Sequence, residues 1–246
     1  MHLIDKLSYN NGLSDVHPVE KFVFSMGALA FVLVTSNSYL MFLLFILMSL
    51  LIIVFAKTGF LNYLKLLCIP ALFIFLSAVT LVMEIDPAAE GALSINPRGL
   101  VYGGTLCLKA FSSVSCMYFF ILTTPVADVE FILKKMSFPL LFREIFMMVY
   151  RFIFIIVDKA EMIAVSQLSR GGYSSLGNRV KSAGMLASSV FVKSYFFSRA
   201  SYSAMLSRGY DGEFNVIDSE YRYSALNIFL IVSFFLCFIF LVIRFG

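Results

Sequence analysis

The sequence predicts an all-α integral membrane protein, with about five transmembrane helices and three helices outside the membrane, of which the last two are long. Three observations predict this class. The 246 residues are 60% hydrophobic and 14% charged, with a mean hydropathy of +0.91, which is too apolar for a protein dissolved in water. Five runs reach or approach the roughly 20 apolar residues that cross a bilayer. A long basic region precedes the last run.

The predicted spans are 21–36, 39–56, 66–83, 99–122 and 224–243. Only Asn37 and Ser38 separate the first two, which indicates a tight hairpin of helices. The third span has Pro70 near its start. The chain starts without the apolar core of a cleavable signal peptide, so we expect the N-terminus to be retained. The four cysteines lie in apolar runs without metal-ligand spacing, and they predict neither a disulfide nor a metal site.

Basic residues predict the orientation of the spans. If the N-terminus lies in the cytoplasm, 16 of the 19 Lys and Arg residues face inward, since the loop after the second span and all of 123–223 lie on that side. The exceptions are Arg98, Arg244 and Lys109, the last of which falls inside the fourth span. The loop 84–98 then faces outward. We therefore expect a multi-pass protein of the inner cell membrane with its N-terminus in the cytoplasm.

This orientation divides the chain into three parts: four spans in 1–122, a cytoplasmic region in 123–223 and a last span in 224–246. The cytoplasmic region holds 12 of the 19 basic residues. It predicts helices over 125–136, over 140–170 up to Gly171-Gly172, and over 179–208 up to Gly209. Each of the last two would extend about 45 Å at 1.5 Å per residue, so each needs a surface to pack against.

The start of the second of these helices is unusually apolar. The segment 138–157 has enough apolar residues to suggest a sixth span, but Arg143 and Arg151 oppose a lipid-buried position. A crossing there would also place the following basic residues outside. We therefore expect 138–157 to lie along the inner interface of the membrane. Its apolar face and that of 186–197 have two open interpretations: they pack within the chain, or they form a groove for a mobile membrane partner.

A short motif occurs twice. Gln167–Tyr173 and Met205–Asp211 both contain Leu-Ser-Arg-Gly, and each ends a long predicted helix. One interpretation is an ordinary helix stop, in which Gly takes the left-handed position and Arg complements the negative helix end. The other is that the two arginines bind a partner, because a guanidinium presents a fork of donors to carboxylates or carbonyls. The candidate docking residues are Ser169, Arg170, Gly171, Ser207, Arg208 and Gly209.

Four other charged residues are candidates for structural or coupling roles. Lys109 either packs against polar atoms of neighbouring spans or faces a partner or a hydrated cleft. Arg151 and Asp158 are seven residues apart on one helix face, with Glu161 nearby, which favours an internal ion-pair network over partner contact. The two histidines are His2 and His17. A metal site at His2 is disfavoured, and His17 before Pro18 is typical of a helix entry.

Several segments resemble one known family. The N-terminal segment 4–22, with its His-Pro before a basic residue, the stretch 123–171 and the second motif at 207–209 are similar to the energy-coupling T component of energy-coupling-factor (ECF) transporters, the EcfT family. The resemblance covers almost the whole chain and is strongest to the cobalt-type branch, CbiQ. The family has Ala-Arg-Gly where this chain has Ser-Arg-Gly.

The resemblance implies a non-catalytic subunit of an importer, with 123–223 as coupling helices. Arg170 and Arg208 would dock on two ABC-type ATPase subunits similar to CbiO, whose ATP-driven closure moves the helix ends together. A separate membrane S component similar to CbiM would bind the substrate, with a small accessory membrane protein similar to CbiN as a further partner. The substrate would be cobalt, with nickel or another ECF substrate as the alternative. The resemblance implies no cofactor and no nucleic acid.

Two other classes of function are weaker. A stand-alone secondary transporter needs ionisable residues on several spans, and the predicted spans contain no acidic residue. A membrane enzyme such as a lipid-head-group transferase needs acidic or histidine clusters, for which Asp211 and Glu213 are the available residues. The sequence also has no phosphate-binding loop of the G-x-x-x-x-G-K-[ST] type, so it does not predict nucleotide binding.

Overall fold

The structure is a computed structural model that describes residues 8–9, 11–13, 16–85, 93–95, 97–210 and 224–245. Helices dominate these residues, which confirms the all-α class. The chain divides into two compact units: unit 1 comprises 1–132 and 220–246, and unit 2 comprises 133–219. The predicted candidates His2, Asp211 and Glu213 lie outside the described residues.

The helices in chain order are α1 (Pro18–Val34), α2 (Ser38–Phe55), α3 (Phe60–Val82), α4 (Pro97–Thr123), α5 (Val129–Lys135), α6 (Leu140–Ser169), α7 (Leu176–Leu206) and α8 (Ala225–Phe245). A single 3₁₀ turn, Val126–Asp128, precedes α5. Two three-residue strands, β1 (Met83–Ile85) and β2 (Leu93–Ile95), pair antiparallel with Glu84 opposite Ser94. The strands fall in the segment that the sequence predicts as an outward loop.

Within the described ranges, four helices are long and apolar enough to cross a bilayer: Ser38–Phe55, Phe60–Leu81, Val101–Thr123 and Ala225–Arg244. The other expected span, α1, has 17 residues, or about 25 Å. Two helices begin earlier than the apolar runs predict. Glu20 therefore lies in the first turn of α1, and Lys65, expected in a loop, lies inside α3. A run of apolar residues does not include the polar first turn of a helix, because hydropathy does not detect where a helix begins.

Capping residues define where α1 and α2 begin. The Nδ1 atom of His17 accepts from the backbone N–H of Val19 at 3.2 Å, and Pro18 occupies the first turn, as expected for a helix entry. Asn37 caps α2, since its Oδ1 accepts from the N–H of Tyr39 at 3.0 Å. Only residues 35–37 therefore separate the two helices, which confirms the predicted tight connection.

Helix α4 packs against α1, α2 and α3 and forms the centre of unit 1. Its hydroxyl groups make much of the contact. The Oγ of Ser112 donates to the carbonyl of Met41 on α2 at 2.8 Å, and the hydroxyl of Tyr63 on α3 lies 3.1 Å from that of Ser115. Such groups hold membrane helices together where lipid supplies no hydrophobic drive. The apolar core around them includes Leu44, Met48, Ile52, Cys116 and Leu122.

Pro70 lies inside α3 without breaking it. Proline has no N–H, so the carbonyl of Leu66, four residues earlier, loses its helical donor. The hydroxyl of Tyr118 on α4 donates to this carbonyl at 2.9 Å. A neighbouring helix thus satisfies the polar group that Pro70 exposes, which is what a lipid environment requires.

Helix α8 packs within unit 1 through phenylalanines that meet α1. Phe24 lies 5.0 Å from Phe234, and Phe31 stacks on Phe235 at 5.7 Å between ring centroids. Gly27 permits this approach, because a Cβ at that position would overlap the ring of Phe235.

Unit 2 contains the two long helices α6 and α7, which run antiparallel. Phe152 of α6 meets Phe197 of α7 edge to face at 5.1 Å. At one end the Oγ of Ser182 donates to the carbonyl of Gly172 at 2.8 Å. Towards the other end the hydroxyl of Tyr210 donates to the Glu144 carboxylate at 3.4 Å. The expected long helices are confirmed, with α7 starting three residues before the predicted 179.

Candidate functional site: two arginine-capped helix ends

The first Leu-Ser-Arg-Gly copy ends α6 with a Schellman motif. Gly171 has φ of +72°, the left-handed conformation that glycine adopts without strain. Its N–H donates to the carbonyl of Leu168 at 3.0 Å, and the N–H of Gly172 donates to that of Gln167 at 2.9 Å. These two bonds satisfy carbonyls that a helix end leaves free. Arg170 is the residue between the last helical turn and the glycine.

The second copy ends α7 in the same way. Gly209 has φ of +82°, and its N–H donates to the carbonyl of Leu206 at 3.0 Å. The N–H of Tyr210 donates to the carbonyl of Met205 at 3.1 Å. Arg208 therefore occupies the same position as Arg170, immediately before a left-handed glycine, and the repeated sequence forms a repeated structure.

The serines of the two copies also match. The Oγ of Ser169 donates to the carbonyl of Val165 at 3.1 Å, and the Oγ of Ser207 donates to that of Ser203 at 3.0 Å. Each hydroxyl is thus bonded within its own helix, four residues back. A serine bonded in this way does not alter the shape of the helix end. It is therefore compatible with the position at which the EcfT family has alanine.

Both arginine side chains are exposed at the ends of their helices. Arg170 and Arg208 are exposed, and within the described part of the chain neither side chain forms a hydrogen bond or an ion pair. A helix end closed by backbone bonds alone has no need of the guanidinium. The two cations are therefore available to a partner molecule.

The two arginines lie at opposite ends of α7. Arg170 is at the corner where α6 turns into α7, and Arg208 follows the last turn of α7. The 31 residues of α7 extend about 45 Å at 1.5 Å per residue. One helix therefore fixes the separation between the two candidate docking points.

The corner beside Arg170 is tightly built. Ser175 caps α7 by accepting from the N–H of Asn178 at 3.3 Å. Ser182 is 2% exposed and contacts the carbonyl of Gly172, where a side chain would not fit. A cavity of about 530 Å³ between α6 and α7 opens next to this corner, with Arg170 and Lys193 among its lining residues.

The remaining predicted residues of α6 are not brought together. Arg151, Asp158 and Glu161 are exposed, and the described part of the chain holds no ion pair between any two of them. Arg151 and Asp158 share a face but are separated by two turns, about 10.5 Å of rise, which is long for a direct contact. The apolar face of 138–157 divides: Phe152 and Ile155 pack towards α7, whereas residues such as Ile145 and Val149 are exposed.

Lys109 contacts a polar atom of a neighbouring helix, as the packing interpretation expects. Its Nζ on α4 donates to the carbonyl of Leu33 at 2.6 Å. Leu33 belongs to the last turn of α1, which contains no basic residue of its own. The lysine therefore supplies, from a neighbouring helix, the positive charge that stabilises a helix C-terminus.

Sequence analysis missed a polar cluster in unit 1, formed by the buried residues Asn11, Glu20, Lys21 and Thr123 and the half-buried Asn227. Glu20 and Lys21 are only 5% and 3% exposed. Their position at the start of α1 could suggest solvated charges at a membrane surface. Their burial depends on partners about a hundred or more residues away, which no local pattern reveals.

Among the described residues, the four apolar helices of spanning length and the long helices of unit 2 define a multi-pass α-helical membrane protein. The chain belongs to the CbiQ family of cobalt transport proteins, whose family model matches residues 10–219.

Several curated relatives support this membership. A putative fused cobalt transport protein CbiMQ of Methanocorpusculum labreanum is 28% identical over 244 residues, which cover 94% of this chain and 41% of the relative. The cobalt transport protein CbiQ of Salmonella typhimurium is 24% identical over 87% of this chain and 99% of its own length. CbiQ of Rhodobacter capsulatus is 24% identical over 67% of this chain and 66% of its own length. This chain thus spans less than half of the fused relative.

Proposed function

We propose that this chain is the transmembrane coupling subunit of an ECF-type importer, which transmits the motion of two ABC-type ATPase subunits to a substrate-binding S component. The observation that carries the proposal is the structural identity of the two arginine-capped helix ends. Two equal ends suit a partner with two equal sites, such as a pair of ATPase subunits.

The chemistry of the ends supports docking on a protein. Each end presents one exposed guanidinium on a helix whose backbone is already satisfied, so binding need not disturb the helix. A guanidinium binds carboxylates with two parallel hydrogen bonds, which fixes orientation as well as position. We therefore expect a groove with acidic side chains or free carbonyls on each ATPase subunit.

The geometry constrains how motion would pass. Because α7 joins both arginines, the ends do not approach each other unless α7 bends. ATPase closure would instead tilt or bend α7 and carry α6 with it through contacts such as Phe152 with Phe197. The exposed apolar residues of α6, including Ile145, Val149 and Ile153, are candidates for contact with the S component.

The names of the relatives support the proposed substrate and one of the proposed partners. The relatives are named as cobalt transport proteins, which favours cobalt, with nickel or another ECF substrate as the alternative. The fused CbiMQ relative favours a CbiM-like S component, and a small CbiN-like protein is a further candidate partner. The positive-inside distribution favours a cytoplasmic N-terminus and a cytoplasmic unit 2, with this chain in the inner membrane. This subunit itself would be non-catalytic.

Charge reversal at the two ends tests the proposal. The chain is co-expressed with its ATPase and S-component partners, and the complex is purified through a tag on this chain. Arg170→Glu and Arg208→Glu together should remove both ATPase subunits, because each guanidinium–carboxylate contact becomes a repulsion. Each single variant should weaken ATPase retention and lower uptake.

Serine substitutions provide the matched control. Ser169→Ala and Ser207→Ala remove only hydroxyls that bond within their own helices, so ATPase retention and cobalt uptake should stay near the wild-type level. If the double arginine variant still retains both ATPases and supports uptake, the docking role is refuted.

A further inference from the structure

Two adjacent side chains of α1 contact both points where the chain passes between the spans and the coupling region. The Nζ of Lys21 donates to the carbonyl of Thr123, the last residue of α4, at 3.0 Å. The carboxylate of Glu20 accepts from the backbone N–H of Ser224 at 3.3 Å and from the side chain of Asn227 at 3.2 Å. The chain leaves the spans at the first point and returns at the second.

The charges match the helix ends that they contact. Lys21 faces the C-terminus of α4, the negative end of that helix, whereas Glu20 faces the N-terminus of α8, the positive end. Both side chains are nearly fully buried, and the contact of Lys21 with Thr123 is itself buried, whereas the contacts of Glu20 with Ser224 and Asn227 are partly buried. Buried charges are retained at such cost only when their hydrogen bonds are made.

A neutral donor strengthens the first contact. The Nδ2 of Asn11 also donates to the carbonyl of Thr123, at 3.0 Å. The Oδ1 of Asn11 accepts from the N–H of Leu13 at 2.9 Å, which holds the amide in place. Thr123 itself is fully buried. The exit of the chain from α4 is therefore fixed by two donors from the N-terminal segment and α1.

We infer that Glu20 and Lys21 are positioning residues for energy coupling, which hold both ends of the coupling region on one turn of α1. This inference rests on the proposed function. A displacement of the coupling helices reaches the spans along the chain at Thr123 and Ser224. Because one turn of α1 holds both points, the displacement moves α1, α4 and α8 together instead of unwinding the ends of α4 and α8.

Lys109 offers a matched control, because it makes the same kind of contact at another place. Its ammonium also donates to a carbonyl in the last turn of a helix, that of Leu33 in α1. That contact joins α4 to α1, as the contact of Lys21 does, but Leu33 leads into the short α1–α2 connection. A loss of stability common to both lysines can thus be separated from a loss of coupling specific to Lys21.

The test measures substrate transported per ATP hydrolysed by the complete complex in vesicles. Complexes that carry Lys21→Met or Glu20→Leu should retain both ATPases and hydrolyse ATP. The ratio of substrate transported to ATP hydrolysed should fall about fivefold or more, which is the fold-change that a typical coupling free energy produces. The conservative variants Lys21→Arg and Glu20→Gln should recover part of the ratio. Lys109→Met should lower the thermal midpoint of the complex but leave the ratio near the wild-type value.

Two results would overturn the inference: an unchanged ratio in Lys21→Met and Glu20→Leu, or an equal fall in Lys109→Met. If Lys21→Met yields no complex, Asn11→Ala serves instead, because it removes the second donor to the Thr123 carbonyl. It should lower the ratio of substrate transported to ATP hydrolysed by a smaller factor. An unchanged ratio in Asn11→Ala would also overturn the inference. Absence of ATPases from the wild-type complex would refute the coupling function instead. Amide hydrogen exchange of residues 224–228 in the isolated chain then still tests the contact, since Glu20→Leu should accelerate it.

Discussion

At the scale of single residues, polar atoms are arranged so that helix ends and helix breaks keep their hydrogen bonds. The two left-handed glycines, Gly171 and Gly209, close α6 and α7 with backbone hydrogen bonds, so the side chains of Arg170 and Arg208 are not needed to end these helices. Within the spans, Tyr118 supplies the donor that Pro70 removes from Leu66. In both cases a carbonyl that lacks its helical donor accepts a hydrogen bond from another group: a backbone N–H at the helix ends, and the Tyr118 hydroxyl at Pro70.

The pairing of Tyr118 with Pro70 can be measured. Tyr118→Phe leaves the Leu66 carbonyl without a donor and should destabilise the chain by about 1 kcal/mol, as is typical of hydrogen bonds between membrane helices. In a Pro70→Ala background the residue at 70 regains an N–H for that carbonyl, so the same change should cost clearly less. Denaturant unfolding in detergent gives both values. Equal costs in the two backgrounds would show that the tyrosine does not compensate for the proline.

At the scale of elements, the corner between α6 and α7 determines where Arg170 stands. Gly172 has no room for a side chain, because a Cβ would lie 2.9 Å from the carbonyl oxygen of Gln167 and 2.6 Å from the Oγ of Ser182. The corner therefore depends on a close approach of two helices as well as on the cap itself.

Substitution of this glycine tests the corner. Gly172→Ala should destabilise unit 2 by about 1–3 kcal/mol, the usual range for overpacking a tight contact. Gly184→Ala on α7 is the control, since a Cβ there meets nothing within 4 Å and alanine favours the helix. Hydrogen exchange of α6 and α7 reports the local stability. Similar exchange in the two variants would mean that the corner tolerates a side chain.

The elements themselves could be predicted from local sequence, whereas the contacts between them could not. Apolar runs, the His17-Pro18 entry and the glycines after each Leu-Ser-Arg define most helix ends to within about three residues, although α3 begins six residues before its apolar run. The contact of Lys21 with Thr123 and that of Glu20 with Asn227 join residues 102 and 207 positions apart, and no local pattern encodes them. A shared helix face was also insufficient to predict an ion pair, since Arg151 and Asp158 share a face but are separated by two turns.

At the scale of the whole molecule, the chain consists of a span-containing unit 1 and a unit 2 built on α6 and α7, and the polypeptide passes between them at two points. In the proposed mechanism, ATPases act on the two ends of α7, and the Glu20–Lys21 turn carries the displacement into α1, α4 and α8. Membership of the CbiQ family accounts for the transport role, and the repeated helix ends are the basis of the proposed pair of ATPase subunits.

Site-specific photo-crosslinking in the assembled complex tests the central claim most directly. Leu168 and Leu206 are exposed and occupy equivalent positions in the two helix ends, whereas the exposed Phe191 in the middle of α7 serves as the control. A photoreactive residue at either leucine should form a product with one ATPase subunit, and a chain carrying both should form a product with two. Products that contain ATPase only from position 191, or from none of the three positions, would contradict the account.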